Sequence, residues 1–160
     1  MSKNLIVLGA VYLIFALPLS FMDSKKFRIS LPIVFIGSVA LVLCRLVFLS
    51  MPFAPVAKNL ILALISSFLL YFSTRVLSGE GLGWGDIFFG MFSALYTGFY
   101  MNLIATVFSA LLGVLYYLFL AAIQKWKKKT HIHRPIFAIP FVPFITAGSV
   151  LCVLLFYVIA

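Results

Sequence analysis

The sequence predicts an all-α polytopic membrane protein, with about six transmembrane helices in one bundle, and three observations predict it. Hydrophobic residues make up 65% of the 160-residue chain and the mean hydropathy is +1.24, against roughly 45–50% apolar residues in soluble domains. Apolar runs of about 20 residues recur along the chain, the length at which a helix crosses a ~30 Å hydrocarbon core. Polar residues gather in the breaks between those runs. No stretch is left for a separate soluble unit, so residues 1–160 read as a single transmembrane domain.

The runs fall at about residues 4–22, 31–49, 58–76, 87–101, 102–123 and 137–160. The first runs on to a basic stretch without a small-residue cleavage pattern, so a retained span is expected and not a cleaved signal peptide. Met51-Pro52-Phe53-Ala54-Pro55 is expected to stop the second helix, since proline lacks an amide donor and biases its predecessor away from helix. Residues 78–85 hold four glycines in eight positions, which ends the third run in a flexible polar loop. The fourth run is the shortest: at ~1.5 Å per residue it falls short of a ~30 Å core. It therefore begins inside the boundary or thins the bilayer locally, and Asp86 sits at or just below the surface. Its Gly90, Ala94 and Gly98 recur every four residues, a spacing that lets another helix pack closely. The turn into the fifth run is expected around Tyr100 to Asn102.

The formal charge is +9, but the basic residues lie in loops between apolar runs and no nucleic-acid motif accompanies them. Placing the first connection in the cytoplasm puts Lys25, Lys26, Arg28, Arg75, Lys125, Lys127, Lys128, Lys129 and Arg134 inside, nine of the twelve cations, with both termini outside. Such loops also suit anionic lipid headgroups. Arg45 falls within the second run, and snorkelling to the outer surface is the expected outcome. Cys44 and Cys152 lie in apolar runs and read as core thiols, and His131 with His133 lacks the third ligand that a zinc site needs.

The chain holds three carboxylates, Asp23, Glu80 and Asp86. An acid beside a bilayer is costly, so each is a candidate functional group. Asp23 closes the first run, where the negative end of a helix macrodipole disfavours its ionised form by about 0.3–1 kcal/mol. The plainer reading is a loop acid neutralised by Lys25 and Lys26. Asp86 opens the fourth run, where a helix N-terminus favours the carboxylate; the plainer reading is a helix cap. One acid with a raised pKa and one with a lowered pKa form a carboxylate dyad, in which the ionised member deprotonates a water and the protonated member polarises a scissile carbonyl. That chemistry calls for neither metal nor cofactor. Gly83 and Gly85 would let an extended substrate backbone approach. Glu80 reads first as a solvated loop acid and second as a substrate contact.

Ser78-Gly79-Glu80-Gly81-Leu82-Gly83-Trp84-Gly85-Asp86 resembles the GxGD loop of the type IV prepilin peptidases, often written E-G-M-G-x-G-D. Ile139-Pro140-Phe141-Val142-Pro143-Phe144-Ile145 is similar to that family's I-P-F-G-P-F-L signature. Together with Asp23 these landmarks extend over the whole chain. The resemblance implies a membrane aspartyl endopeptidase with Asp23 and Asp86 as its catalytic pair. It implies a pilin-like precursor as partner, cut at a short basic leader on the cytoplasmic face of a prokaryotic inner membrane. The chain departs from the family at Ile29-Ser30-Leu31-Pro32, where I-P-N or I-P-D is usual, and at Phe88, where a lysine is common. It also lacks the cysteine-rich segment of the bifunctional members, so no methyltransferase activity is expected.

Two rivals stand beside that reading. One is an inactive membrane scaffold of a pilus or secretion assembly that keeps the fold, with the altered Ile29–Pro32 segment and Phe88 as signs of lost turnover. The other is a small proton-coupled transporter, which would place its acids near the midplane and is commonly built from inverted repeats, neither of which the sequence displays.

Overall fold

The computed structural model describes residues 3–48, 52–79, 81–126 and 140–159. They form six helices: α1 (Lys3–Lys26), α2 (Leu31–Phe48), α3 (Phe53–Leu77), α4 (Trp84–Thr97), α5 (Phe99–Trp126) and α6 (Val142–Ile159). Large apolar side chains such as Phe35, Leu69 and Phe119 point outward, while Ser67, Ser93, Asn102, Ser109 and Ser149 are buried. That inversion of a soluble protein suits lipid, where hydroxyls pack between helices and every backbone group must be satisfied internally. Leu5–Lys26, Phe53–Leu77 and Phe99–Ile123 are long and apolar enough to cross a membrane, with shorter apolar helices at Leu31–Val47 and Val142–Phe156.

The architecture is a ring around a post. α1, α2, α3, α5 and α6 follow one another round the ring, each touching the next and α6 closing on α1, and α4 alone contacts all five. Its sequence explains the position. WGDIFFGMFSALYT is largely apolar, and nine of its 14 residues are buried, as expected of a helix packed on several others. Tyr12 of α1 stacks on Phe92 and Tyr96 of the post at ring centroid distances of 5.3 and 4.2 Å. Its hydroxyl lies 3.3 Å from Ser93 Oγ, which is 2.5 Å from Ser149 Oγ on α6.

Several boundaries differ from the sequence expectation. The turn after α4 comes at Gly98, not around residues 100–102, because Gly98 adopts φ +80° and its N–H closes the helix on the Ala94 carbonyl. The proline stretch starts α3 instead of only stopping α2: Pro52 is the residue before the helix and Pro55 lies in its first turn, where no amide is needed. α6 begins at Val142, with Pro140 and Phe141 non-helical; residues 137–139 lie outside the described residues, as do His131, His133 and Lys127 to Lys129 with Arg134. α1 continues through Asp23 to Lys26 and ends at Phe27, whose φ is +50°.

Arg45 does not snorkel. It is 9% exposed, and its guanidinium donates to the Tyr96 carbonyl at 2.7 Å. The carbonyls of the last turn of α4 carry the negative end of the helix dipole, so a cation gains there what it would otherwise seek in water. Asn59 of α3 caps the start of α5 instead, its Oδ1 accepting the Phe99 N–H at 2.9 Å.

The close packing expected of the small residues on α4 holds at Gly90, where an added Cβ would lie 2.3 Å from the Tyr71 ring. Ala94 is fully buried. Gly90→Ala should therefore cost about 1–3 kcal/mol through overpacking. At Gly113 the nearest atom to an added Cβ is 3.4 Å away, so Gly113→Ala should leave stability within about 0.5 kcal/mol. Unfolding midpoints of the two variants in one detergent check the contrast.

Candidate active site

Both aspartates sit at the same end of the bundle, each on a helix terminus. Asp23 occupies the last turn of α1, 5% exposed. Its partner comes from the far end of the chain. The first amides of a helix have no acceptor within it, and in α6 the Val142 N–H donates to Asp23 Oδ2 at 3.1 Å. Pro143, next in line, has no amide to compete. One turn along each helix, Ser20 Oγ and Thr146 Oγ1 lie 2.9 Å apart and hold α6 against α1. The α6 amide favours a carboxylate at position 23 and offsets part of its desolvation.

Asp86 is the third residue of α4. Its N–H donates to the Gly83 carbonyl at 3.2 Å, and its Oδ2 accepts the Gly83 N–H at 3.0 Å. The carboxylate thus closes a reciprocal cap from the third position, in the manner of a capping box. Gly83, not Asp86, is the N-cap residue.

Electrostatics corrects one expectation. The helix N-terminus was expected to keep Asp86 below the usual carboxylate range, but its pKa is pushed up from 3.8 to about 6. Burial is the first cause and the neighbouring charge of Asp23 the second; the Gly83 N–H opposes both. Desolvation and a like charge outweigh the fractional charge of the helix end.

Two neighbours, Ile29 and Arg75, position the loop that carries Asp86. An added Cβ at Gly85 would stand 2.8 Å from Ile29 Cδ1, so the connection between α1 and α2 is seated directly on the start of α4. Arg75 of α3 donates to the Leu82 carbonyl. Its guanidinium also lies 5.1 Å from the centre of the Trp84 ring. Gly83 lies beside the Asp86 carboxylate and Gly85 packs on Ile29, while Glu80 lies outside the described residues.

Sequence reasoning missed the Val142 amide, Ile29 and Arg75. Pro140 and Pro143 were the available signal for the first, since a proline just inside a helix start leaves the preceding amide as its orphan donor. Ile29 and Arg75 are brought in by tertiary packing and carried no local mark.

The fold and this end of the bundle define a multi-pass helical membrane protein with two acidic side chains gathered at one end. A model of the type IV leader peptidase family matches residues 10–118, well over half of the chain. The chain therefore belongs to the type IV leader peptidase family, and its class of activity is that of a peptidase. The matched stretch contains both aspartates and the glycine loop; the Pro140–Pro143 segment lies beyond it. No curated protein and no solved structure gives a significant match.

Gly85→Ala should cost about 1–3 kcal/mol by driving a methyl into Ile29, and Ile29→Ala in the same chain should recover part of that loss. A double-mutant cycle on the unfolding midpoint measures the coupling, and additive losses would contradict the contact.

Proposed function

We propose that the protein is an aspartyl endopeptidase that removes short basic leaders from pilin-like precursors, with Asp23 and Asp86 as its catalytic pair. The observation that carries this reading is the placement of two acids 63 residues apart in sequence (86 − 23) on helix termini at one end of the bundle, each carboxyl accepting a backbone amide. Membership of the leader peptidase family supports the reaction class. This end of the bundle carries Lys25, Lys26, Arg28 and Arg75, which supports a cytoplasmic orientation by the positive-inside rule.

The division of labour follows from the two environments. Asp86, with its affinity for protons pushed up to about 6, carries the shared proton and donates it to the scissile carbonyl oxygen. Asp23, accepting the α6 amide, takes a proton from the attacking water. The tetrahedral carbon then collapses. The proton on Asp23 passes to the departing amine as the C–N bond breaks, and Asp86 recovers its proton from the gem-diol oxygen. No covalent enzyme intermediate forms. Gly83, exposed beside the Asp86 carboxyl, leaves room for the extended leader junction.

Asp23→Asn and Asp86→Asn should each lower leader cleavage by at least about a hundredfold, the scale of a lost general acid or base, in membranes where both variants accumulate normally. The working pair holds one proton, so cleavage should fall as pH rises through the upper pKa, approaching about tenfold per pH unit. A wild type inactive against a panel of leaders, or either variant at full activity, would overturn the peptidase dyad in favour of a scaffold.

A further inference from the structure

One peptide group joins a guanidinium to the Asp86 carboxyl. Arg75 lies two residues before the end of α3, half-buried, and donates from Nη1 to the Leu82 carbonyl. That carbonyl shares an amide plane with the Gly83 N–H, because a peptide unit runs from the C=O of one residue to the N–H of the next. The Gly83 N–H in turn donates to Asp86 Oδ2 at 3.0 Å. Arg75, the Leu82–Gly83 amide and Asp86 therefore form one hydrogen-bonded chain, with a cation at one end and a carboxyl at the other.

The chain has a direction. A cation donating to an amide oxygen draws electron density from the nitrogen and makes its N–H a better donor, and hydrogen bonds in series strengthen one another by about 10–30% each. A stronger N–H favours the carboxylate over the neutral acid. The backbone here needs such a tie, since Leu82 stands between Gly81 and Gly83, which have no side chains to hold it. The same guanidinium lies 5.1 Å from the centre of the Trp84 ring, and Phe72, less than one turn back along α3, is 6.1 Å from that ring. Arg75 thus holds the residues on both sides of the N-cap of α4.

We propose that Arg75 is a positioning residue for Asp86, acting through the Leu82–Gly83 peptide to orient the carboxyl and stabilise its charged form. Its use rests on the peptidase reading: a group that gives up and takes back a proton in each turnover works best when neither form is held too firmly. The other titratable groups that face Asp86 are Asp23 from α1 and Tyr71 from α3. The starts of α2 and α6 present apolar side chains, Leu31 to Phe35 and Val142 to Ile145, and Tyr116 of α5 lies against Phe144.

The test reads the peptide itself. Carbon-13 at leucine carbonyls with nitrogen-15 in glycine marks three Leu–Gly peptides, Leu8–Gly9 in α1, Leu112–Gly113 in α5 and Leu82–Gly83. The two helical signals are internal references for an intact fold. A second sample, with carbon-13 at the aspartate carboxyls, gives the Asp86 midpoint, assigned by its loss in Asp86→Asn. Arg75→Met removes the charge and the donor but keeps an unbranched stem against Trp84. It should move the Gly83 amide proton and the Leu82 carbonyl carbon upfield and leave the references in place. The Asp86 midpoint should rise by at least about half a pH unit, the scale of one net hydrogen bond. Arg75→Lys, which retains a charged donor, should lie nearer wild type than Arg75→Met in all three readings. If Arg75→Met disturbs the references, Trp84→Leu decides: it removes only the stacking face, at a half-exposed residue, and should move the same signals in the same direction by less. A midpoint that moves while the Leu82 and Gly83 signals stay fixed overturns the peptide route. Signals that move without the midpoint, or no change in either, overturn it as well. Cleavage is read separately: from an active wild type, Arg75→Met should lose kcat with KM within about twofold, and its fall at high pH should come later by the same interval as the midpoint. A wild type that cleaves nothing while the resonances behave as stated keeps the linkage and refutes the peptidase.

Discussion

A helix of 14 residues cannot cross a bilayer, and α4 is the helix on which the others converge. Its length of about 21 Å is less than a ~30 Å hydrocarbon core, and most of it is enclosed by other helices, so the unpaired amides and carbonyls of its ends are met by protein. At the start this falls to Asp86, which closes on Gly83. At the finish it falls to Arg45 on the Tyr96 carbonyl. An anion at the N-terminus and a cation at the C-terminus match the helix dipole from both sides. The same requirement explains why an arginine stays buried in a span and why an aspartate is held in the first turn of α4.

Capping and chemistry are therefore not alternatives at Asp86. The cap fixes the orientation of the carboxyl, and burial among the surrounding helices raises its hold on a proton. Asp23 obeys the same logic from the opposite sense, since it ends α1 but meets the start of α6. Three helix termini with unpaired groups thus meet at one end of the bundle, and two acids use the amides they leave.

Apolar length and loop charge made the helical membrane fold readable, and Asp23, Gly83, Gly85 and Asp86 were readable because acids and clustered glycines are scarce in such a chain. Helix ends were less readable. Gly98 looked like a packing position because it continues the spacing of Gly90 and Ala94, yet it is the left-handed residue that stops α4. Pro52 and Pro55 looked like a stop and are a start, since a missing amide is costly inside a helix and harmless in its first turn. The proton affinity of Asp86 was misjudged because a local dipole is visible in sequence, whereas burial by five other helices and the approach of Asp23 are not.

Asp23 and Asp86 are the two aspartates in the chain, so carbon-13 placed at the carboxyl of every aspartate reports on this pair alone. Following both resonances against pH in detergent or lipid, with and without Asp23→Asn, measures their coupling directly. A shared site requires an upper midpoint near 6 for Asp86, falling when the charge of Asp23 is removed. Two independent titrations at the ordinary aspartate value, with Asp86 indifferent to that substitution, would contradict it.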